Sequence, residues 1–409
     1  MTPIEREFFR IESMENEFVA LLSDWVGTNS GSWHETGLAN QQARLKDRFS
    51  RLGGVVREET MAPSMDESTQ QPLPAGERRV LSIKKRPEAP LQVMLVGHYD
   101  TVYGSEDAFQ SPERASQTTL RGPGCADMKG GLVVMLSALE AFERLAEPDC
   151  GLGWTVFLNP DEEIGSIWSE PLLVKHAKTN DAALVFEPTL PDGGLVSARK
   201  GSGTFNLTAH GKAAHAGRDF SQGRNAICLL AKFLLSLDAL NYRRDGVTIN
   251  VGRIEGGGAS NIVPALASCK VNVRTVIPED EAWFFQQAET IRRELAQQEG
   301  FRLEMSGRFS SSPKPETPGT RILLNAMAEI SQELGAPLSW APTGGACDGN
   351  RLQALGLPTL DSLGVVGANL HSDSEFMVIP SLTERAKMNT LLLHRLARGE
   401  VLSPRADRV

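Results

Sequence analysis

Leu91-Gln-Val-Met-Leu-Val-Gly-His-Tyr-Asp-Thr-Val102 is the stretch on which the fold turns. Leu91–Val96 is apolar almost throughout. A run of this length without alternation fits a strand covered on both faces, as in a layered α/β sheet. His98 then falls at the carboxyl end of the strand, where open α/β sheets form their ligand sites. Residues two apart in extended backbone face the same side, so Asp100 can sit behind His98 and hold its imidazole ready for a metal. A turn histidine beside a capping aspartate is the competing reading of the same residues.

Outward from that strand, Val80–Ile83, Gly153–Leu158 and Ala182–Phe186 read as further strands, and Lys129–Leu145 as a helix with a glycine-rich start. Strands alternating with helices point to an α/β layered sheet. The first sixty residues read as two helices around a polar turn (Asn29 to Gly37) and a strand near Val55. Residues 60–79, rich in proline and polar residues, read as a loop. After Lys200 the character changes. Thr204–Ala209, Val247–Ile254, Ala267–Thr275 and Phe301–Arg308 read as strands, Asn225–Leu240 and Asp280–Gln298 as helices. Their order, βαββαβ, is that of a small split-βαβ sandwich. A Pro/Ser/Gly segment, Ser310–Gly319, leads into a helix from about Thr320. The expected organisation is a catalytic domain in two parts, 1–200 and 311–409, interrupted by a lid over 201–310.

The 409 residues, 41% hydrophobic and 23% charged, are ordinary for a globular enzyme. A net charge of -9 argues against a nucleic-acid surface. Five scattered cysteines without a CxxC pair fit free thiols in a reducing compartment. The N-terminal residues lack an uninterrupted apolar core, and no run approaches a membrane span. A cytoplasmic protein is expected.

Several acidic and imidazole groups sit in unusual settings. Asp127 lies on a glycine-rich turn entering a helix, where an N-cap role is the bland alternative. Asp161-Glu162-Glu163 follows a buried strand, and three acids there repel one another unless something positive lies between them. Glu187 ends another strand in Phe186-Glu-Pro. His371 stands in Asn369-Leu-His-Ser-Asp. Two imidazoles and three carboxylates without cysteine suit zinc or a similar divalent ion. Three carboxylates against two dications leave one positive charge, which a hydroxide cancels; that is the resting balance of a metal-assisted hydrolase.

On these residues the chain resembles the two-zinc exopeptidase family of glutamate carboxypeptidases, acetylornithine deacetylase, succinyl-diaminopimelate desuccinylase and aminoacylases. The matching pieces are GHYDTV (97–102), GPGCADMKGG (122–131), NPDEEIGS (159–166), FEP (186–188) and HSDSE (371–375), followed through the lid by HGKAAHAG (210–217), ASNIVP (259–264) and VNVR (271–274). The resemblance implies a zinc-exopeptidase-like α/β catalytic domain, a mixed sheet with helices on both faces, interrupted by a smaller α+β sandwich for lid and dimerisation. It implies that His98 and Glu187 hold one zinc, Glu163 and His371 the other, with Asp127 bridging and the following peptide cis. Glu162 would be the general base and then acid. Co²⁺ or Mn²⁺ suit the same ligands. In the lid, His215 would stabilise the developing oxyanion, reaching across a homodimer from the partner subunit. Asn261 and Arg274 would hold polar groups of the substrate. Arg308 matches the position that glutamate carboxypeptidases use near the substrate carboxylate, for which a planar guanidinium is suited; a surface arginine on a strand is the alternative. The resemblance thus implies a peptide or N-acyl amino acid substrate, cut beside a C-terminal carboxylate, or else N-acyl amino acid deacylation by the same site. Cys347 stands where the family often has Thr or Ser, and no ligand role is assigned to it. His34, His176, His210 and His394 read as surface or packing residues.

Overall fold

The computed structural model describes residues 1–65 and 71–404. Within the loop expected over 60–79, two short strands pair, Ser64–Met65 with Pro72–Leu73; residues 66–70 lie outside the described residues. The chain divides into two compact units. The larger comprises Met1–Ala198, Glu316–Thr343 and Cys347–Val409; the smaller comprises Arg199–Pro315 with Gly344–Ala346.

The larger unit is built on a six-stranded mixed sheet in the spatial order Val55–Thr60, Arg79–Lys85, Leu152–Asn159, Leu91–His98, Ala182–Val185, Thr359–Leu360. The first three strands pair antiparallel and the rest parallel. Every residue of Leu91–His98 and of Leu152–Asn159 is buried, which is why neither strand alternates in sequence. Val93 and Leu95 point into a core under the helices Lys129–Leu145 and Pro380–Ala397, while Met94 and Val96 pack with Trp168, Leu173 and Leu352 on the opposite face. Helices therefore cover both faces.

Two glycines let this packing happen. A Cβ on Gly97 would meet the Leu132 side chain at 2.5 Å, and one on Gly131 would meet the Phe186 carbonyl oxygen at 1.9 Å. The start of the Lys129–Leu145 helix therefore lies directly on the strand ends that carry His98 and Glu187. The N-terminal segment holds three helices where the sequence suggested two, because the chain breaks at Met14 between Pro3–Ser13 and Glu15–Val26 before Glu35–Ser50. No single residue type marks that break: Met14 lies outside the αR region with its N–H still bonded to Arg10.

The smaller unit is a four-stranded antiparallel sheet in the order Thr248–Gly256, Leu266–Thr275, Gly201–His210, Arg302–Ser311. Phe205, Leu207 and Ala209 alternate onto the core formed with the helices Ala226–Asp238 and Pro278–Ala296. Thr204, Asn206 and Thr208 face the other way.

Candidate metal centre

His98, Glu162–Glu163 and Glu187, at the carboxyl ends of three strands of the six-stranded sheet, meet the loops of Asp127 and His371, which lie outside that sheet. His98 ends its strand fully buried, its ring pinned by Nδ1, which lies 3.0 Å from the Asp100 carbonyl and 3.3 Å from Asp100 Oδ1. Asp127 follows the Gly122–Ala126 turn; the peptide to Met128 is cis. Glu162–Ile164 form a single 3₁₀ turn, closed by Gly165 at φ 90° with its N–H on the Glu162 carbonyl at 2.7 Å. Glu187 follows Phe186, whose N–H bonds the Val96 carbonyl at 3.0 Å. His371 sits in a loop at φ 59°, with its side chain half exposed.

The two oxygens of Asp127 face two different imidazoles. Oδ1 lies 3.1 Å from His98 Nε2, and Oδ2 lies 3.3 Å from His371 Nε2. On one side Glu187 stands 3.9 Å from the same His98 nitrogen; on the other Glu163 stands 3.2 Å from the His371 nitrogen. Donor atoms of His98, Asp127 and Glu163 all lie within 4.8 Å of one another. Ligand atoms on one tetrahedral zinc stand about 3.4 Å apart when the bonds are about 2.0–2.1 Å, so these separations fit two divalent ions on either side of Asp127. The donor set of imidazole and carboxylate agrees with that choice.

The chain is similar to several known proteins. Residues 197–299 match the peptidase dimerisation domain of M20 peptidases. Carboxypeptidase G2 of Pseudomonas sp. (strain RS-16) is 29% identical over 93% of this chain and 90% of its own. A succinyl-diaminopimelate desuccinylase of Dechloromonas aromatica is 28% identical over 75% of this chain and 84% of its own. The fold superposes on an M20 family metallo-carboxypeptidase from Sulfolobus solfataricus with a TM-score of 0.71, at 19% identity, over 92% of this chain and 98% of that one. The chain therefore carries an M20 peptidase dimerisation domain and is related along most of its length to carboxypeptidase G2 and to succinyl-diaminopimelate desuccinylases. Its buried cluster of His98, Asp127 and Glu163 fits the dinuclear metal site of a metal-dependent hydrolase.

The electrostatics of the cluster match that reading. Burial, then the charge of Glu187, pushes the Glu162 carboxyl well above the ordinary range. Burial and the charge of Asp127 lift Glu163 to about 7. Hydrogen bonds to Asp127 and Glu163 raise His371 to about 11. Burial opposes the charged form of His98, but Asp100 and Asp127 together raise it above its ordinary value. Acids packed this closely call for a cation among them.

Other residues prove to hold the centre. Glu375, fully buried, accepts Ala126 N–H at 2.9 Å and Asp127 N–H at 3.0 Å on Oε1, and Gly124 N–H at 3.1 Å and the Tyr103 hydroxyl at 2.7 Å on Oε2. Its signal in sequence was an acid directly before the strand Phe376–Val378. Asp161, read as one of three like acids, is buried apart from the other two and accepts Trp168 and Ser169 N–H. Burial raises it to about 6. Cys347 is buried and caps the helix Asp348–Ala354 by accepting Gly349 N–H at 3.3 Å.

The lid residues form two pairs. The segments of His215 and Asn261 join through Ala216 N–H on the Asn261 carbonyl at 2.9 Å, and both side chains are exposed. Arg274 and Arg308 lie on the sheet face away from the helices: Arg308 is opposite Thr204, and Arg274 is opposite Ser202 with its Nε on Asn272 Oδ1 at 3.0 Å. The first pair adjoins the His210 end of the strand Gly201–His210, the second its start. From Thr204 and Ser202, which face Arg308 and Arg274, to His210 is six to eight residues of extended chain, about 20–26 Å.

Of the histidines without a proposed role, His210 pairs with Glu304, His34 with Asn29 and His176 with Glu59. Among the described residues no helix is long and apolar enough to cross a membrane.

Proposed function

We propose that this chain is a zinc-dependent metallocarboxypeptidase that hydrolyses the amide bond next to a C-terminal carboxylate. The observation that carries the reading is Asp127, whose two oxygens face His98 and His371 separately. His98 and Glu187 would hold one ion, Glu163 and His371 the other, and Asp127 both. The two ions supply an activated water and a polarised scissile carbonyl. Glu162, beside Glu163 and outside the ligand set, takes a proton from the attacking water and delivers it to the leaving nitrogen. Its burial favours a base that holds a proton long enough to pass it on. Asp100 orients His98.

Arg308 and Arg274 would bind the substrate's carboxylate and neighbouring polar groups, with Asn261 and His215 serving the carbonyl side. One lid cannot bring all four to one substrate, because the pairs stand at opposite ends of the sheet. A homodimer in which the partner subunit supplies its own His215 and Asn261 resolves this. The outer strand Thr248–Gly256, exposed almost throughout, and the outward Leu235 and Ile254 offer the surface for it. Similarity to carboxypeptidase G2 across nearly the whole chain supports the carboxypeptidase branch; similarity to the desuccinylases keeps N-acyl amino acid deacylation as the second reading.

The deciding experiment measures amino acid release from a panel of C-terminal glutamyl peptides and N-acetyl amino acids with zinc, with chelator, and with Glu162→Gln. Release confined to glutamate or aspartate supports the carboxypeptidase, and general loss of acetyl groups supports the deacylase. Turnover that survives both chelation and Glu162→Gln would falsify the mechanism.

A further inference from the structure

The turn that carries Glu162 and Glu163 closes on two consecutive residues of the left-handed region, Gly165 at φ 90° and Ser166 at φ 51°. Glycine adopts that conformation freely. Serine does so at a cost, and keeps it only where its surroundings hold it there. Ser166 is fully buried, and its hydroxyl donates to Asp348 Oδ1 at 2.5 Å. Asn159, the last residue of the strand Leu152–Asn159, donates through Nδ2 to Asp348 Oδ2 at 2.8 Å and to the Ser166 hydroxyl at 3.3 Å. Asp348 opens the helix Asp348–Ala354, which also carries Arg351. The Arg351 guanidinium donates through Nη1 to Asp348 Oδ1 at 3.2 Å and through Nη2 to the Gly165 carbonyl at 2.6 Å. One carboxylate and one guanidinium thus take hold of both residues that close the turn. Both side chains are buried, where such bonds are stronger than in water.

The two acids on the turn depend on this hold unequally. Asp100 grips the opening of the turn by accepting the Glu162 and Glu163 N–H groups. Glu163, as a proposed metal ligand, gains a further anchor from coordination. Glu162 lies outside the ligand set, so its carboxyl takes its place from the path of the turn. We propose that Asp348 and Arg351 are positioning residues for the hydrolysis: a clamp on the closing end of the 162–166 turn that fixes where the Glu162 carboxyl meets the attacking water. The inference rests on the reading of Glu162 as the base. A displacement of about 1 Å at a reacting group can cost about a hundredfold in rate. The clamp therefore acts on kcat and leaves zinc loading and substrate affinity nearly unchanged.

The test compares zinc-loaded wild type with Arg351→Met, Arg351→Lys and, as a control, Thr320→Val. Thr320 donates to Gln353 Oε1 at 2.8 Å, so the control removes a buried hydrogen bond from the far end of the same helix. On a substrate that wild type cleaves, Arg351→Met should lower kcat about 10–100-fold, with KM and zinc content close to wild type. Arg351→Lys keeps the charge but lacks the fork that spans both acceptors, and should restore part of the loss. Thr320→Val should leave kcat unchanged. Hydrogen exchange gives a readout independent of turnover. The Gly165 and Ser166 N–H groups, bonded to the Glu162 and Asp161 carbonyls, should exchange about tenfold faster in Arg351→Met and at the wild-type rate in Thr320→Val. Where Arg351→Met does not fold, Ser166→Ala, which deletes one hydroxyl, takes its place with the same expected directions. Unchanged exchange at the turn overturns the clamp. Faster exchange with wild-type kcat, zinc lost in parallel with kcat, or an equal loss of kcat in Thr320→Val overturns the positioning role. A wild type that cleaves no substrate strikes the hydrolase reading instead, and exchange alone then decides the clamp.

Discussion

Asp100 accepts the Glu162 amide hydrogen at 3.1 Å on the same oxygen, Oδ1, that faces His98 Nδ1 at 3.3 Å. Its other oxygen accepts Glu163 N–H at 3.2 Å and the Ser32 hydroxyl at 2.7 Å. One buried carboxylate therefore sets the ring of a proposed metal ligand together with the turn carrying the proposed base and a second ligand. Asp100→Asn leaves the volume unchanged but turns an NH₂ toward one of these donors. Zinc affinity and kcat should each fall about 10–100-fold, the usual scale for groups that support metal ligands. Chelator competition and steady-state kinetics check this; a variant with wild-type values of both would remove Asp100 from the centre.

How much of this was open to reading from sequence depends on the distance over which each residue acts. His98 and Asp100 are two apart on one extended strand, so their partnership follows from backbone period alone. The buried strands were legible because burial on both faces removes alternation, and the helix Lys129–Leu145 because its glycines precede an apolar run. The grasp of Asp100 on the 162–163 turn, and of Glu375 on the 124–127 loop, depends on contacts 62 and 248 residues apart, which no local pattern encodes. The opposition of the two lid pairs needed strand register, and register is a property of the folded sheet.

Glu162→Gln removes the proton acceptor and keeps the shape. Because Glu162 is outside the proposed ligand set, zinc content should stay at wild-type stoichiometry while kcat drops about 10²–10⁴-fold, the span of general-base contributions. Metal analysis of the purified variant beside its turnover separates this from a ligand loss. Zinc lost in parallel with activity would reassign Glu162 as a ligand.

Metal removal should be visible without any substrate. A ligand that binds only the folded state stabilises it by about 4 kcal/mol at a thousandfold excess over Kd. Chelation should therefore lower Tm, and added zinc should restore it with a concentration dependence that His98→Ala weakens. A Tm indifferent to both chelator and zinc would argue against tight loading of the centre.

Glu375→Gln tests the brace beneath Asp127. Glutamine keeps one acceptor oxygen and places an NH₂ against backbone or phenolic donors, so at least one buried donor loses its partner. That costs about 1–3 kcal/mol. Since two of the four donors are the amides of Ala126 and Asp127 themselves, zinc affinity should fall with stability, by about tenfold. Tyr103→Phe removes a single hydroxyl from the same carboxylate and should give the milder version of both effects. Denaturant titration together with zinc competition reads the two quantities; a destabilised Glu375→Gln protein with unchanged zinc affinity would reduce Glu375 to a purely structural role.

Acid sensitivity should have a source away from the metal centre, in Glu59. Burial opposes its charge, but the Ser82 hydroxyl at 2.7 Å, Lys175 at 3.0 Å and His176 at 2.6 Å outweigh burial and hold it at about 2, below its ordinary 4.5. A carboxyl lowered on folding contributes stability that is fully present above 4.5 and is lost as pH falls through about 2. His176 acts here mainly as a hydrogen-bond donor, because burial pushes its imidazole below the ordinary range. At neutral pH Glu59→Gln should cost about 1.5–3 kcal/mol, the value of hydrogen bonds to a charged group. The gap between variant and wild type should then close between pH 4.5 and 2. Urea unfolding of both proteins with chelator present, at a series of pH values, measures that gap free of metal effects. A gap that stays constant through this window would show that the Glu59 charge contributes nothing and that only its shape matters.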